Sequence, residues 1–197
     1  MSIFYNNANR ASRTVRGMRL ICICPVLLLN TVTFLSAQKP AAAVTSPALS
    51  PIAFLTKHEW EAKLPDSGDG KKIKIHAQFT WSQSGQAIRI SSQFMSDSKA
   101  RPYVDGLYAW DPQQRAIIFW YVDAEGSLTK GRVKMEDGKL VHEFDQVAPD
   151  GKLSAFVAKV TPQGEQAWDN EIFQRQAGQL KPMVKVRYEI ANQTQTN

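Results

Sequence analysis

The sequence predicts an all-β fold: an antiparallel up-and-down meander of about ten strands, closed into a barrel and preceded by a helical signal segment. Three observations carry this prediction. Apolar and polar residues alternate with period two from about residue 56 onward, as on strands whose two faces meet a core and water. Turn dipeptides punctuate the alternation roughly every dozen residues. No interval between turns has room for a crossover helix, which needs about a dozen residues of its own.

The chain has 197 residues, a length that suits one domain. Residues 1–19 hold Arg10, Arg13, Arg16 and Arg19 and no acidic residue. Residues 20–35 are uncharged and mostly apolar, and small residues and proline follow up to Ala41-Ala42-Ala43. A basic start, a short apolar run and an A-x-A-like end describe a secretory signal peptide. It is assigned to residues 1–37, with cleavage up to residue 43 as the other solution, since Leu35 suits its site poorly and Ala41 suits the later one. An uncleaved anchor is the rival reading, but Pro25 and Asn30 interrupt a run shorter than the ~20 apolar residues of a spanning helix. The domain is therefore expected in the periplasm or outside the cell, with no membrane contact once the signal is removed. Both cysteines, Cys22 and Cys24, fall inside the signal, so the exported part must be held by its core alone. The chain carries +6, yet without residues 1–37 only 20 basic residues face 18 acidic ones. A surplus that small gives no reason to expect nucleic acid as a partner.

Residues 38–49, rich in Ala, Pro, Ser and Thr, read as a flexible linker, residues 50–192 as the barrel domain and 193–197 as a disordered tail. Ser50-Pro51 opens a helical turn, serine as N-cap and proline at the first helical position. That turn presents Ile52, Phe54 and Leu55 to plug one end of the barrel. Strands follow at roughly 56–64, 71–82, 87–97, 103–110, 115–123, 127–135, 139–147, 152–161, 165–175 and 180–191. In the second, Ile73, Ile75, Ala77, Phe79 and Trp81 alternate with polar residues; in the last, Val184, Val186, Tyr188 and Ile190 do the same. Asp-Gly and Glu-Gly pairs such as Asp137-Gly138 supply the positive φ of tight hairpins. A meander with one apolar face and two free edges hides all three by closing on itself. A sandwich is the alternative, but it usually needs long Greek-key connections.

Several segments resemble an uncharacterised bacterial family of lipocalin-like, calycin-type barrels. Leu55-Thr56-Lys57-His58-Glu59-Trp60 resembles the first-strand Leu-x-Gly-x-Trp of those domains, with His58 where glycine is usual. Gly106 to Asp111 resembles their mid-barrel Gly-x-x-x-aromatic-Asp turn, and Phe119 to Gly126 the following hairpin; Trp168 and Lys181-Pro182 fall where the last two strands begin. The resemblance implies a lipocalin-like barrel whose floor is closed by Trp60. It implies no agreed activity. The helix pair that lids fatty-acid-binding barrels and the C-terminal helix of the lipocalins have no counterpart here.

Eight strands close around an interior just filled by side chains or holding one small ligand, and ten make a wider barrel, which favours a cavity. The inward face supplies six candidate ligand-binding residues: Phe79, Trp81, Phe94, His142, Phe144 and Tyr188. Such a lining suits a small apolar or aromatic molecule; the plainer reading of each is a packed core residue. His142 stands between Leu140 and Phe144 on the apolar face, where an imidazole can orient a ligand, ligate haem iron or serve acid–base chemistry. A lone inward histidine is more often satisfied by a neighbouring hydroxyl or carbonyl. His76 shares a wet face with Lys72 and Lys74, and His58 lies beside Trp60. Three scattered histidines without cysteine form no zinc pattern, and neither a nucleophile elbow nor a phosphate loop occurs. No catalytic residue, metal or cofactor is therefore expected. Lys130, Arg132 and Lys134 read as an outer wet face that discourages edge pairing.

The segment Ala116 to Val122 breaks the alternation, because both of its faces are apolar. Its second face is expected at a homodimer contact or under the N-terminal segment, and Phe119→Lys is the test. The expected function is an exported barrel that binds a small apolar or aromatic molecule. The alternatives are a homo-oligomerising interaction module using strand 116–122 and a barrel enzyme using His142.

Overall fold

A computed structural model describes residues 44–65, 72–96 and 99–191. The expected signal peptide, most of the expected linker and the expected tail lie outside the described residues.

Ten strands follow one another: β1 (Glu59–Lys63), β2 (Lys74–Trp81), β3 (Ala87–Ser96), β4 (Lys99–Asp111), β5 (Ala116–Asp123), β6 (Leu128–Glu136), β7 (Lys139–Val147), β8 (Leu153–Pro162), β9 (Ala167–Gln176) and β10 (Gln179–Ile190). Each pairs antiparallel with its neighbours in sequence, and β1 pairs with β10 through Trp60↔Ile190 and Ala62↔Tyr188, which closes the barrel. Closure leaves no edge for another chain to extend. The hairpins follow from their turn residues. Asp137-Gly138 and Ala177-Gly178 each take two consecutive positive φ values, the twist that lets a two-residue loop match right-handed strands.

A 3₁₀ helix, Pro47–Lys57, caps one end. With three residues per turn, Leu49, Ile52 and Leu55 fall on one stripe, and all three are buried. They rest on the barrel floor, where Trp60 Nε1 donates to the Leu55 carbonyl at 2.8 Å. This plug starts at Pro47, four residues before the expected Pro51, with Ser46 and not Ser50 at the N-cap position. Burial of Leu49 requires the earlier turn. The Ser46 amide also donates to the Gly85 carbonyl at 2.8 Å, tying the segment to the β2–β3 turn. The last residues of the expected linker thus belong to the folded domain.

Two irregularities shape the interior. Between β3 and β4 the register shifts so that Ser92 faces Val104 and Gln93 faces Pro102. Tyr103 is the extra residue, and it and Val104 both border the interior, as a bulge permits. On β10 Met183 is the extra residue beside Pro182, and bulges are among the few places a sheet accommodates proline.

Candidate functional site: the barrel cavity

The closed wall and the plug leave a cavity of about 240 Å³. Leu55 of the plug borders it at one end; Leu64, Phe94 and Tyr103 border it toward the other, where β1 leads to β2 and β3 to β4. The space exists because Ala77, Ser92 and Ala158 occupy inward positions among large aromatics. A 150 Å³ apolar cavity holds benzene, so this one holds a molecule of about ten heavy atoms. A porphyrin exceeds that several-fold, and an iron-porphyrin reading of His142 does not fit this interior.

Five of the six residues expected from the alternation border the cavity: Phe79, Phe94, His142, Phe144 and Tyr188. Trp81 does not. It ends β2 at the plugged end, half-buried against the core: period two gives the face of a side chain but not its height along the barrel. The sequence reading omitted Tyr108, Tyr121, Trp168 and Asn170, which also border the cavity. Their signal was present, since Trp168, Asn170 and Ile172 alternate inward along β9 as the chosen residues do on their own strands.

His142 is buried, its Nε2 3.4 Å from the Tyr108 hydroxyl, and its ring meets Phe119 edge-on with centroids 5.4 Å apart. Burial pushes its pKa down to about 4, because the apolar surround disfavours the imidazolium. Burial likewise raises Tyr108 and Tyr188 far above the ordinary phenol value and pushes Tyr121 up to about 12. All four groups are therefore neutral at pH 7. So weak a base, facing a tyrosine that keeps its proton, is poorly matched to proton transfer near neutrality. Among the described residues no Asp, Glu, Lys or Arg borders the cavity, so a charged ligand buried there meets no counter-ion from them.

On the outside, β5 turns Ile118 and Trp120 outward, both half-buried, and Val122 outward and exposed. Phe119 faces inward and is buried, so Phe119→Lys disrupts the core and does not probe the outer face. Val122 pairs with Leu128, Leu128 with Val147 and Val147 with Leu153. All four are exposed, an unbroken aliphatic row across β5–β8. The neighbouring basic strip is partly neutralised, as Arg132 and Lys134 approach Glu143 at 2.9 and 3.0 Å. His76 lies 3.4 Å from Glu59, and His58 stands edge-on to Trp60 at 5.7 Å between centroids. Among the described residues no group of three His, Cys, Asp or Glu side chains is placed to hold a metal ion.

No protein-family model and no curated protein matches the chain. Among solved structures it is similar to the crystal structure of Rv2717c from M. tuberculosis, with a TM-score of 0.51 and 11% identity over 76% of this chain and 100% of that one. The likeness is one of fold: ten antiparallel strands in a closed barrel.

Proposed function

We propose that the protein is an exported, lipocalin-like barrel that binds one small, neutral, apolar or aromatic molecule in its interior. The observation that carries this reading is the 240 Å³ cavity walled mainly by aromatic and aliphatic side chains, with no charged one among the described residues. A few polar groups on an apolar wall are the usual composition of a small-molecule site. The basic, apolar and small-residue order of residues 1–43 supports export. Native mass spectrometry of protein purified from its own host tests the reading: it expects an added mass on the order of 150 Da that unfolding releases. A bare mass, together with no uptake of added naphthalene, would overturn it.

A second reading rests on the aliphatic row Val122, Leu128, Val147 and Leu153. A contiguous exposed apolar strip favours an interface, and we infer that this face, including strand 116–122, joins two copies of the chain. Sizing before and after Val122→Lys tests it. A dimer that the substitution dissociates supports the contact, and a monomer in both cases removes it.

A further inference from the structure

Three buried polar atoms on the cavity wall have no hydrogen-bond partner among the described residues: Trp168 Nε1, Asn170 Oδ1 and His142 Nδ1. Such atoms are uncommon in folded proteins and call for an explanation. His142 Nδ1 lies near the Leu140 carbonyl without reaching hydrogen-bond geometry. Trp168 and Asn170 stand two residues apart on β9, on the same inward face and roughly 7 Å apart along the strand.

The Trp168 ring is 95% buried and cannot easily turn its N–H elsewhere. It stacks on Tyr188 with centroids 3.9 Å apart and planes 5° from parallel, and it meets Trp60 edge-on at 6.1 Å. An indole N–H only donates and an amide oxygen only accepts. The wall therefore presents an indole donor and, in the carboxamide orientation described, an amide acceptor on one inward face, in a space whose described lining is mostly apolar and carries no charged side chain. A hydrocarbon leaves both atoms unpartnered. A carboxylate satisfies the donor but brings a charge with no cation to meet it.

Resting on the reading that the cavity binds a small neutral molecule, we propose that its ligand class is a flat ring compound of about ten heavy atoms with an amide-type edge, a carbonyl beside an N–H, as in a lactam or a keto N-heterocycle. The carbonyl accepts from Trp168 Nε1–H, the N–H donates to Asn170 Oδ1, and the ring body occupies the apolar remainder of the cavity.

The test is calorimetric titration of the purified protein with three bicyclic probes of about ten to thirteen heavy atoms: 2-quinolone, which has the lactam edge; naphthalene, which has the shape alone; and 2-naphthoate, which has a charge. The expected result is 2-quinolone tighter than naphthalene by on the order of tenfold or more, with no binding of 2-naphthoate. Asn170→Leu is expected to cut that advantage below about threefold while naphthalene binds as before, which also shows that the variant folds. Trp168→Phe keeps a ring against Tyr188, removes the N–H, and is expected to do the same. Naphthalene equal to or tighter than 2-quinolone, or an advantage that survives both substitutions, overturns the lactam-edge inference and leaves the cavity reading standing. Failure of both neutral probes to bind overturns the two together.

Discussion

The buried imidazole at position 142 makes stability fall with acid in a way that can be calculated. Burial holds His142 at about 4 in the folded protein against an ordinary 6.5. Between those values the unfolded chain takes up a proton that the folded chain refuses, so acidification favours unfolding. The loss begins below the unfolded value and is complete below the folded one. Linkage gives about 2 kcal/mol lost at pH 5 and about 3 kcal/mol at pH 4, relative to neutral pH. Carboxylates stabilised by partners also lose stability as pH falls: Glu143 is held below the usual carboxylate range, chiefly by its hydrogen bond from Lys134. The useful quantity is therefore the difference between the wild type and His142→Phe. Phenylalanine keeps a ring beside Phe119 and Tyr108 and does not titrate. It also removes the 3.4 Å partner of the Tyr108 hydroxyl, a cost that does not change with pH across this range. Urea unfolding followed by tryptophan fluorescence at pH 7, 6, 5 and 4 measures both. The wild type should lose about 3 kcal/mol more than the variant between pH 7 and pH 4. Two curves that run parallel across that range would refute the burial argument.

Three further outcomes follow from the packing. Ile52→Ala removes a fully buried side chain from the plug and should cost about 2–4 kcal/mol in urea unfolding; a change near zero would show that the helix does not seal the barrel. Gly131→Ala would place its Cβ 2.4 Å from the Glu143 carbonyl oxygen and 2.8 Å from Phe119 Cζ, and should lower stability by about 1–3 kcal/mol on the same assay, whereas a neutral result would mean that β6 and β7 lie farther apart than described. Ala158→Phe fills part of the cavity from β8, and calorimetry should show naphthalene affinity falling at least about tenfold with an unchanged far-ultraviolet circular dichroism spectrum.

The strand count and order could be read from the sequence because both depend on local chemistry. Alternation such as Val184, Val186, Tyr188 requires a strand with one dry face, and Asp137-Gly138 requires a tight reversal. Closure followed from the absence of any long connection. What could not be read depends on distance across the fold. The Tyr108 partner of His142 comes from a strand 34 residues away in sequence. The bulge at Tyr103 admits a residue that strict alternation would turn outward. Trp81 obeys the alternation yet misses the cavity because it ends its strand at the plugged end. The start of the plug differs for another reason: Ser-Pro occurs at both 46–47 and 50–51, and only the three-residue spacing of Leu49, Ile52 and Leu55 favours the earlier pair. The second apolar face of β5 was legible as an anomaly. Its continuation through Leu128, Val147 and Leu153 emerges only from the pairing of β5 to β8.

The most direct test of a ligand-accepting interior is nuclear Overhauser spectroscopy of the protein with naphthalene. Cross-peaks from naphthalene protons to the side chains of Phe79, Phe144 and Val160, which border the cavity from β2, β7 and β8, are the expected result. Cross-peaks confined to Trp120, Leu128 and Leu153 on the outer face, or none at all, would contradict it.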